Sequence, residues 1–230
     1  ITDANVFIEC DQGFTFEPVS VSEEGVYILK VDKLEPAYKY RLSINWNDKE
    51  YKSEYLSPLD TPAIDSISVE SPASEKPVYI CVTTHDNELE PTYYKWSYRE
   101  IWEFNADLFA NAGYLNDKFY MFERHTSQNT YYCWGRDSSK VMLLATTDKL
   151  TENLIYEKEL IEIPRDHDKL KILYYIEVQQ NRIRKEAYEY FKNIQRNIEQ
   201  TGSIFSPIPT EVRGNIVCVS DPKEWVLGYV

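Results

Sequence analysis

Apolar and polar residues alternate along much of the first sixty positions. In residues 38–46 every second side chain is apolar or aromatic. In residues 25–31 a strand would place Val26, Ile28 and Lys30 on one face and Tyr27, Leu29 and Val31 on the other. A period of two places successive side chains on opposite faces of a strand. Two short polar segments, Asn47-Asp48 and Asp11-Gln12-Gly13, are typical of tight turns between such strands. Residues 1–62 are therefore predicted to form an immunoglobulin-like or transthyretin-like β-sandwich.

A proline-containing segment ends this first pattern. Pro58 and Pro62 remove backbone donors and favour extended geometry, so a domain boundary is predicted at residue 62. Beyond it, four segments are rich in β-branched and aromatic residues, as strands are: residues 76–84, 93–104, 139–147 and 169–180. Residues 63–230 are predicted to form a second, larger β-sandwich domain.

The segment 93–104 carries the densest aromatic pattern of the chain. One face holds two tryptophans, Trp96 and Trp102, among tyrosines and a phenylalanine, with Glu100 interrupting. Such a face favours a sandwich core, but exposed tryptophans also bind sugar rings and protein partners. Trp96, Trp102 and Trp134 are the candidate ligand-binding residues, and a site where the two domains meet is the place expected for them.

One segment has helical periodicity. Ala187, Phe191, Ile194 and Ile198 form a narrow apolar stripe, which predicts an amphipathic helix over residues 185–201 that ends before Gly202. Docking on the parent sheet is the favoured interpretation of the stripe, and a partner groove is the alternative. The predicted fold class is therefore mostly β with one substantial helix in the second domain.

Charge and hydropathy exclude two broad classes of protein. The chain has 25 basic and 38 acidic side chains, a formal net charge of −13, which argues against nucleic-acid binding. The longest apolar run, residues 141–145, is far shorter than the roughly 18 residues of a membrane helix. The sequence therefore predicts no membrane-spanning helix.

Catalytic chemistry has few candidates in this sequence. Three histidines are present: His85 beside Asp86, His125 in a polar loop, and His167 between two aspartates; each is interpreted as a loop residue. No zinc-ligand spacing, GxSxG elbow or glycine-rich phosphate loop occurs. We therefore expect a non-enzymatic protein without a metal or cofactor.

Several short strings, taken in order, resemble one family. They are Tyr93-Tyr94-x-Trp96, Cys133-Trp134-Gly135, Ala145-Thr-Thr-x-x-Leu150-Thr-Glu-Asn153, Glu186-Ala187-Tyr188-Glu189-Tyr190, Gly202-Ser203-Ile204-Phe205 and Gly214-Asn215-Ile216-x-Cys218, followed by Gly228-Tyr229. Together they resemble the domain of unknown function 4249 of Bacteroidetes across nearly the whole chain. The chain departs from the family pattern at Arg184, where a helix-capping serine or threonine is usual, and at Ser206, where aspartate is usual.

The resemblance implies a location but no reaction. Family members look like exported lipoproteins of the outer membrane, anchored through an acylated cysteine that would precede Ile1 and often encoded near TonB-dependent receptors. A receptor of that class is the partner expected here. Because family chains extend past both ends of this one, the first domain is expected to carry an open sheet edge. A structural or adhesive cell-surface sandwich is the alternative function.

The resemblance also suggests a disulfide. Cys133 and Cys218 each stand in a family string, and the exported compartment lets disulfides persist, so a Cys133–Cys218 bond is expected. Cys10 and Cys81 are expected to be separate buried thiols.

Overall fold

A computed structural model describes residues 2–31, 33–73, 76–108, 112–121, 131–200 and 211–230. The described chain is mostly β. The strands before residue 90 are β1 (Asn5–Cys10), β2 (Thr15–Phe16), β3 (Pro18–Val21), β4 (Tyr27–Leu29), β5 (Tyr40–Trp46), β6 (Lys49–Ser53), β7 (Ser66–Glu70) and β8 (Val78–His85). The later elements are β9 (Tyr93–Asn105), β10 (Ala112–Leu115), β11 (Lys118–Met121), β12 (Tyr132–Ser138), β13 (Leu143–Thr146), β14 (Leu154–Ile163), a 3-10 turn (Asp168–Leu170), β15 (Leu173–Ile183), α1 (Lys185–Gln200) and β16 (Ile216–Cys218).

The chain divides into two compact units. One contains Ile1–Thr61 together with Arg182–Val230, and the other contains Pro62–Asn181. The predicted boundary at residue 62 lies at this division. The sequence prediction, however, assigned all of residues 63–230 to the second domain, whereas α1 and β16 pack in the first unit. The reason is long-range pairing: β16 extends the first sheet by hydrogen bonding to β6.

The first unit is built on a five-stranded antiparallel sheet in the order β16-β6-β5-β1-β2, with β3 and β4 as a separate pair. The sheet is open, and the short strand β2 covers only two residues of β1. The predicted turn at Asn47 and Asp48 joins β5 to β6 with φ of 49° and 59°, the left-handed pair that suits a two-residue hairpin. The description of this unit as immunoglobulin-like or transthyretin-like stays a prediction.

The predicted helix is present from Lys185, and its expected end at Gly202 lies outside the described residues. Ala187 and Tyr190 are buried, whereas Ile198 is exposed, so only the first turns of the apolar stripe are covered. The ring of Tyr190 lies 5.5 Å from that of Tyr229, near the C-terminal end of the same unit. Arg184, the departure from the family's capping residue, instead donates to the carbonyl of Ser57 at 2.7 Å.

The second unit contains two main antiparallel sheets. Strand β8 lies between β14 and β7, and the long strand β9 pairs with β12, β13 and β15. Strands β12 and β13 follow one another along β9, pairing with its C-terminal and N-terminal parts. The buried cluster of this unit draws on β8, β9 and β14, and its members are Val82, Tyr94, Trp96, Ile155 and Leu160. Burial of these side chains between the sheets supplies the main driving force for folding this unit.

Candidate functional site

The three candidate tryptophans do not form one site. Trp96 is 1% exposed and stacks on Tyr94 with the ring centroids 5.4 Å apart. Its indole N–H donates to the side chain of Gln180 at 2.7 Å, and Gln180 in turn donates to Thr84. Trp96 is therefore a core residue with a satisfied donor, and a ligand has no access to it.

Trp102 and Trp134 lie on opposite faces of one sheet. In the β9–β12 register, Trp102 is opposite Gly135, and Trp134, the residue before Gly135, is opposite Glu103. Because neighbouring residues of a strand point to opposite faces, Trp102 and Trp134 lie on different sides of the sheet. A Cβ atom placed on Gly135 would overlap the Trp102 ring, so glycine is needed for this close approach. The half-buried Trp102 ring covers Gly135 on the inner face, and Trp134 points outward.

The inner face beside Trp102 holds a buried ion pair. Glu100 is 1% exposed, and one of its carboxylate oxygens lies 2.5 Å from the ammonium of Lys169. The other oxygen accepts a hydrogen bond from the Tyr174 hydroxyl at 2.8 Å. The Lys169 ammonium also lies 4.8 Å from the centroid of the Trp102 ring. The residue that interrupts the aromatic face of β9 thus has both oxygens occupied by protein donors.

The protonation of this cluster suits a structural role. Burial, and then the hydrogen bond to Glu100, raise the pKa of Tyr174 far above its usual range, so its hydroxyl stays a donor. Burial and the nearby charge of Glu100 also raise the pKa of Tyr98. A general acid or base needs a position that a substrate can reach. This carboxylate is closed off by its own partners.

Sequence reasoning did not identify Lys169 and Tyr174 as partners of Glu100. The available signal was the carboxylate itself, which stood on an otherwise aromatic face and therefore required a buried counter-charge. The neighbouring His167 accepts a hydrogen bond from the Lys169 amide at 3.1 Å and so caps the 3-10 turn that carries Lys169. The sequence predicted a charged connection around His167, and in the structure this connection positions Lys169.

The pair His85 and Asp86, singled out in the sequence, does not act as one unit. His85 pairs with Asp65 at 2.8 Å, whereas its sequence neighbour Asp86 accepts from the Thr92 hydroxyl at 2.9 Å. His125 lies outside the described residues. Within the described residues, no group of three or more His, Cys, Asp or Glu side chains is placed to hold a metal ion.

The loop after β8 is held by one of the family strings. Thr147 accepts a hydrogen bond from the Thr92 amide at 2.9 Å and donates to Asn153 at 2.6 Å. Asn153 donates to the carbonyls of Glu88 and Glu90, at 2.5 and 2.8 Å. The string around residues 145–153 therefore satisfies loop carbonyls, a structural use of these polar side chains.

The cysteines are not paired in the structure. All four lie among the described residues, and none of them forms a disulfide. Cys133 is on β12 in the second unit, and Cys218 is on β16 in the first. The structure therefore does not contain the expected Cys133–Cys218 bond. Cys10 and Cys81 are separate and buried, as expected.

The outer face of the β9 sheet carries several exposed apolar side chains. Trp134 is 57% exposed, and Tyr132, two residues before it, points the same way and is also exposed. On β15, Leu173 and Tyr175 are exposed, while Tyr174 between them turns inward to Glu100. We call Tyr132, Trp134, Leu173 and Tyr175 the outer aromatic face. It contains one of the three predicted ligand-binding residues.

The family comparison agrees with the resemblance noted in the sequence. The family model described as domain of unknown function (DUF4249) matches residues 1–230. No curated protein and no solved structure is significantly similar to the chain. In the described part of the chain, no helix has the length and apolar character needed to cross a bilayer. The chain belongs to the family of the domain of unknown function DUF4249.

Proposed function

We propose that this protein binds rather than catalyses, as an exported outer-membrane lipoprotein of Bacteroidetes that assists TonB-dependent uptake. Export, the lipid anchor and the association with a receptor follow from the family resemblance. The outer aromatic face is the observation that carries the binding role. It is the binding surface of this proposal, and Trp134 is the predicted ligand-binding residue that it contains.

The composition of this face supports a protein partner. Tryptophan and tyrosine supply most of the binding energy at protein interfaces, and they do so with few rotatable bonds. The outward positions of β12 include Arg136 next to Trp134, and arginine is also enriched at such interfaces. A sheet face of this kind offers rigid anchors, because the strands beneath it are hydrogen-bonded to β9.

The inner face supports a non-catalytic role by contrast. Glu100 has both oxygens engaged, Trp96 is buried with its donor satisfied, and the strings around Gly135 and Asn153 serve packing and loop bracing. Buried titratable groups often mark catalytic sites. Here they are paired with one another and shielded from solvent. Turnover of a substrate by the purified protein, abolished by one substitution, would overturn this part of the proposal.

The test is site-specific crosslinking in native membranes. A photo-crosslinking residue replaces Trp134 in the full-length lipoprotein, and the matched control carries it at Tyr156, an exposed aromatic on β14 in the other sheet of the same unit. A TonB-dependent receptor crosslinked at 134 and not at 156 is the expected result. Crosslinks to no receptor, or equally at both positions, contradict the proposal and favour the structural or adhesive alternative.

A further inference from the structure

A second candidate site lies in the first unit, at a place that no sequence motif predicted. Residues 213, 214 and 216–218, the last three forming β16, and residues 222–226 line a cavity of about 350 Å³. Known small-molecule sites occupy roughly 300–1,000 Å³ and combine apolar walls with a few fixed polar groups. Ile216, Val226 and Trp225 supply apolar surface, and Arg213, Lys223 and Glu224 supply the charges.

The walls of this cavity are held by the C-terminal segment. The Asn215 side chain donates to the Val230 carbonyl and accepts from the Val230 amide, each at 3.0 Å. Gly214 lies against the backbone of Gly228 so closely that a Cβ atom would overlap it. The contacts of Gly214 and Asn215 with the C-terminal residues therefore fix the backbone at one wall of the cavity. Such preorganisation lowers the entropy cost of binding.

Glu224 is unavailable to a ligand. It forms an ion pair with Lys49 and accepts a hydrogen bond from the Tyr51 hydroxyl at 2.8 Å. These two hydrogen bonds, that of Lys49 first, hold the pKa of Glu224 below its usual value. Its charge is therefore offset from within the protein, and its oxygens already have donors.

The remaining groups favour an anion with a flat ring. The Trp225 ring is 57% exposed, and the Arg213 guanidinium lies 4.6 Å from its centroid. Arg213 is offset by Glu211 at 2.9 Å, as Glu224 is by Lys49. Among the three charged side chains that line the cavity, Lys223 is therefore the one that we expect to pair with a ligand. Lys223 and the exposed Trp225 both line the cavity, so a positive charge and an indole ring border the same space.

We propose that this cavity binds a small organic anion with a planar apolar group. The ring packs against Trp225, and the anionic group pairs with Lys223. The proposal is independent of the outer aromatic face, because the cavity lies in the other unit and shares no residue with it. Apolar contact and one charge pair make the site selective for ligands that carry both features.

Titration calorimetry on the whole chain tests the proposal with three probes. Indole-3-acetate carries the ring and the anion, tryptamine carries the same ring with a cation, and acetate carries the anion alone. We expect saturable one-to-one binding of indole-3-acetate, with the other two at least about tenfold weaker. No binding of indole-3-acetate at millimolar concentration, or equal binding of tryptamine, overturns the proposal.

Variants locate the binding. Trp225→Ala and Lys223→Met each weaken indole-3-acetate by at least about tenfold, whereas Tyr156→Ala and Lys140→Met leave it unchanged. The controls remove an equally accessible aromatic ring and an exposed ammonium in the other unit. All four side chains are exposed, so far-UV circular dichroism should show folded proteins. Undiminished binding by either cavity variant overturns the proposal.

Discussion

Two regions of this protein each combine an indole ring, a cation and a carboxylate, but in different surroundings. In the second unit, a lysine ammonium lies over the ring of Trp102 and pairs with a carboxylate, and in the first unit an arginine does the same at Trp225. The two distances from cation to ring centroid are close, 4.8 and 4.6 Å. The local contacts are alike, and the exposure is not.

Burial separates the two roles. The side chains of Lys169 and Glu100 are 12% and 1% exposed. Loss of either one would therefore leave the other as a buried group without its counter-charge. Arg213 is 75% exposed, and water can replace its carboxylate partner at little cost. The comparison teaches that a tryptophan, a cation and a carboxylate brace the core where they are enclosed. Where they are exposed, the ion pair adds little to stability and the tryptophan ring stays accessible to solvent.

The largest expected effect comes from breaking the enclosed pair. Lys169→Met removes the counter-charge of the buried Glu100 carboxylate, and we expect it to lower the free energy of unfolding by about 3–5 kcal/mol, measured by urea titration at pH 7. Lys140→Met, which breaks the exposed pair with Asp137, should cost less than about 1 kcal/mol. Adding Glu100→Gln to Lys169→Met should recover part of the loss. Equal losses for the two lysine variants would show that the enclosed ion pair contributes no more to the free energy of unfolding than the exposed one.

The next effect concerns the second donor to the enclosed carboxylate. Tyr174→Phe removes a hydrogen bond to a charged group and should cost about 1.5–3 kcal/mol at neutral pH. The substitution should also change how the free energy of unfolding falls at alkaline pH. Because the folded pKa of Tyr174 is raised, the stability from its proton is fully present below the usual tyrosine value near 10 and is lost as the pH rises above it.

Urea titrations between pH 8 and pH 11 measure this pH dependence. Wild type should lose stability more steeply than Tyr174→Phe above about pH 10. Tyr175→Phe removes an exposed hydroxyl from the same strand and is the matched control. Parallel alkaline declines in wild type and Tyr174→Phe would contradict the enclosed position of Tyr174.

A smaller effect should follow from crowding the enclosed tryptophan. Gly135→Ala forces a methyl group into the Trp102 ring and should cost about 1–3 kcal/mol by thermal or urea unfolding. Trp102→Leu in the same chain should relieve part of the added cost, because the smaller side chain leaves room for the methyl group. A Gly135→Ala protein as stable as wild type would mean that Trp102 does not press on residue 135.

The smallest effect should come from the exposed counterpart. Arg213→Met removes the cation beside Trp225 together with its pairing to Glu211, and we expect a change in the free energy of unfolding below about 1 kcal/mol. The contrast with Lys169→Met is the sharpest form of the comparison. A loss as large as that of the enclosed lysine would mean that the C-terminal segment depends on this arginine for its fold.

Local features of this protein could be predicted from the sequence because they depend on neighbours along the chain. The alternation over residues 93–104 predicted β9, two residues with turn propensity predicted the β5–β6 hairpin, and helical spacing predicted α1. The ordered strings identified the family. The sequence also showed Glu100 on an otherwise aromatic face, but it did not identify the partners of this carboxylate.

Tertiary structure decided what depends on residues far apart in sequence. Lys169 reaches Glu100 across 69 positions, and the pairing of β16 with β6 brings the end of the chain into the first unit. Cys133 and Cys218 share a family pattern, but a shared pattern does not bring two sulfur atoms within bonding distance, and both cysteines are free. Exposure was decided in the same way. Trp102 and Trp225 are the same residue type, and only the packing around each determines whether its ring meets a neighbouring strand or open space.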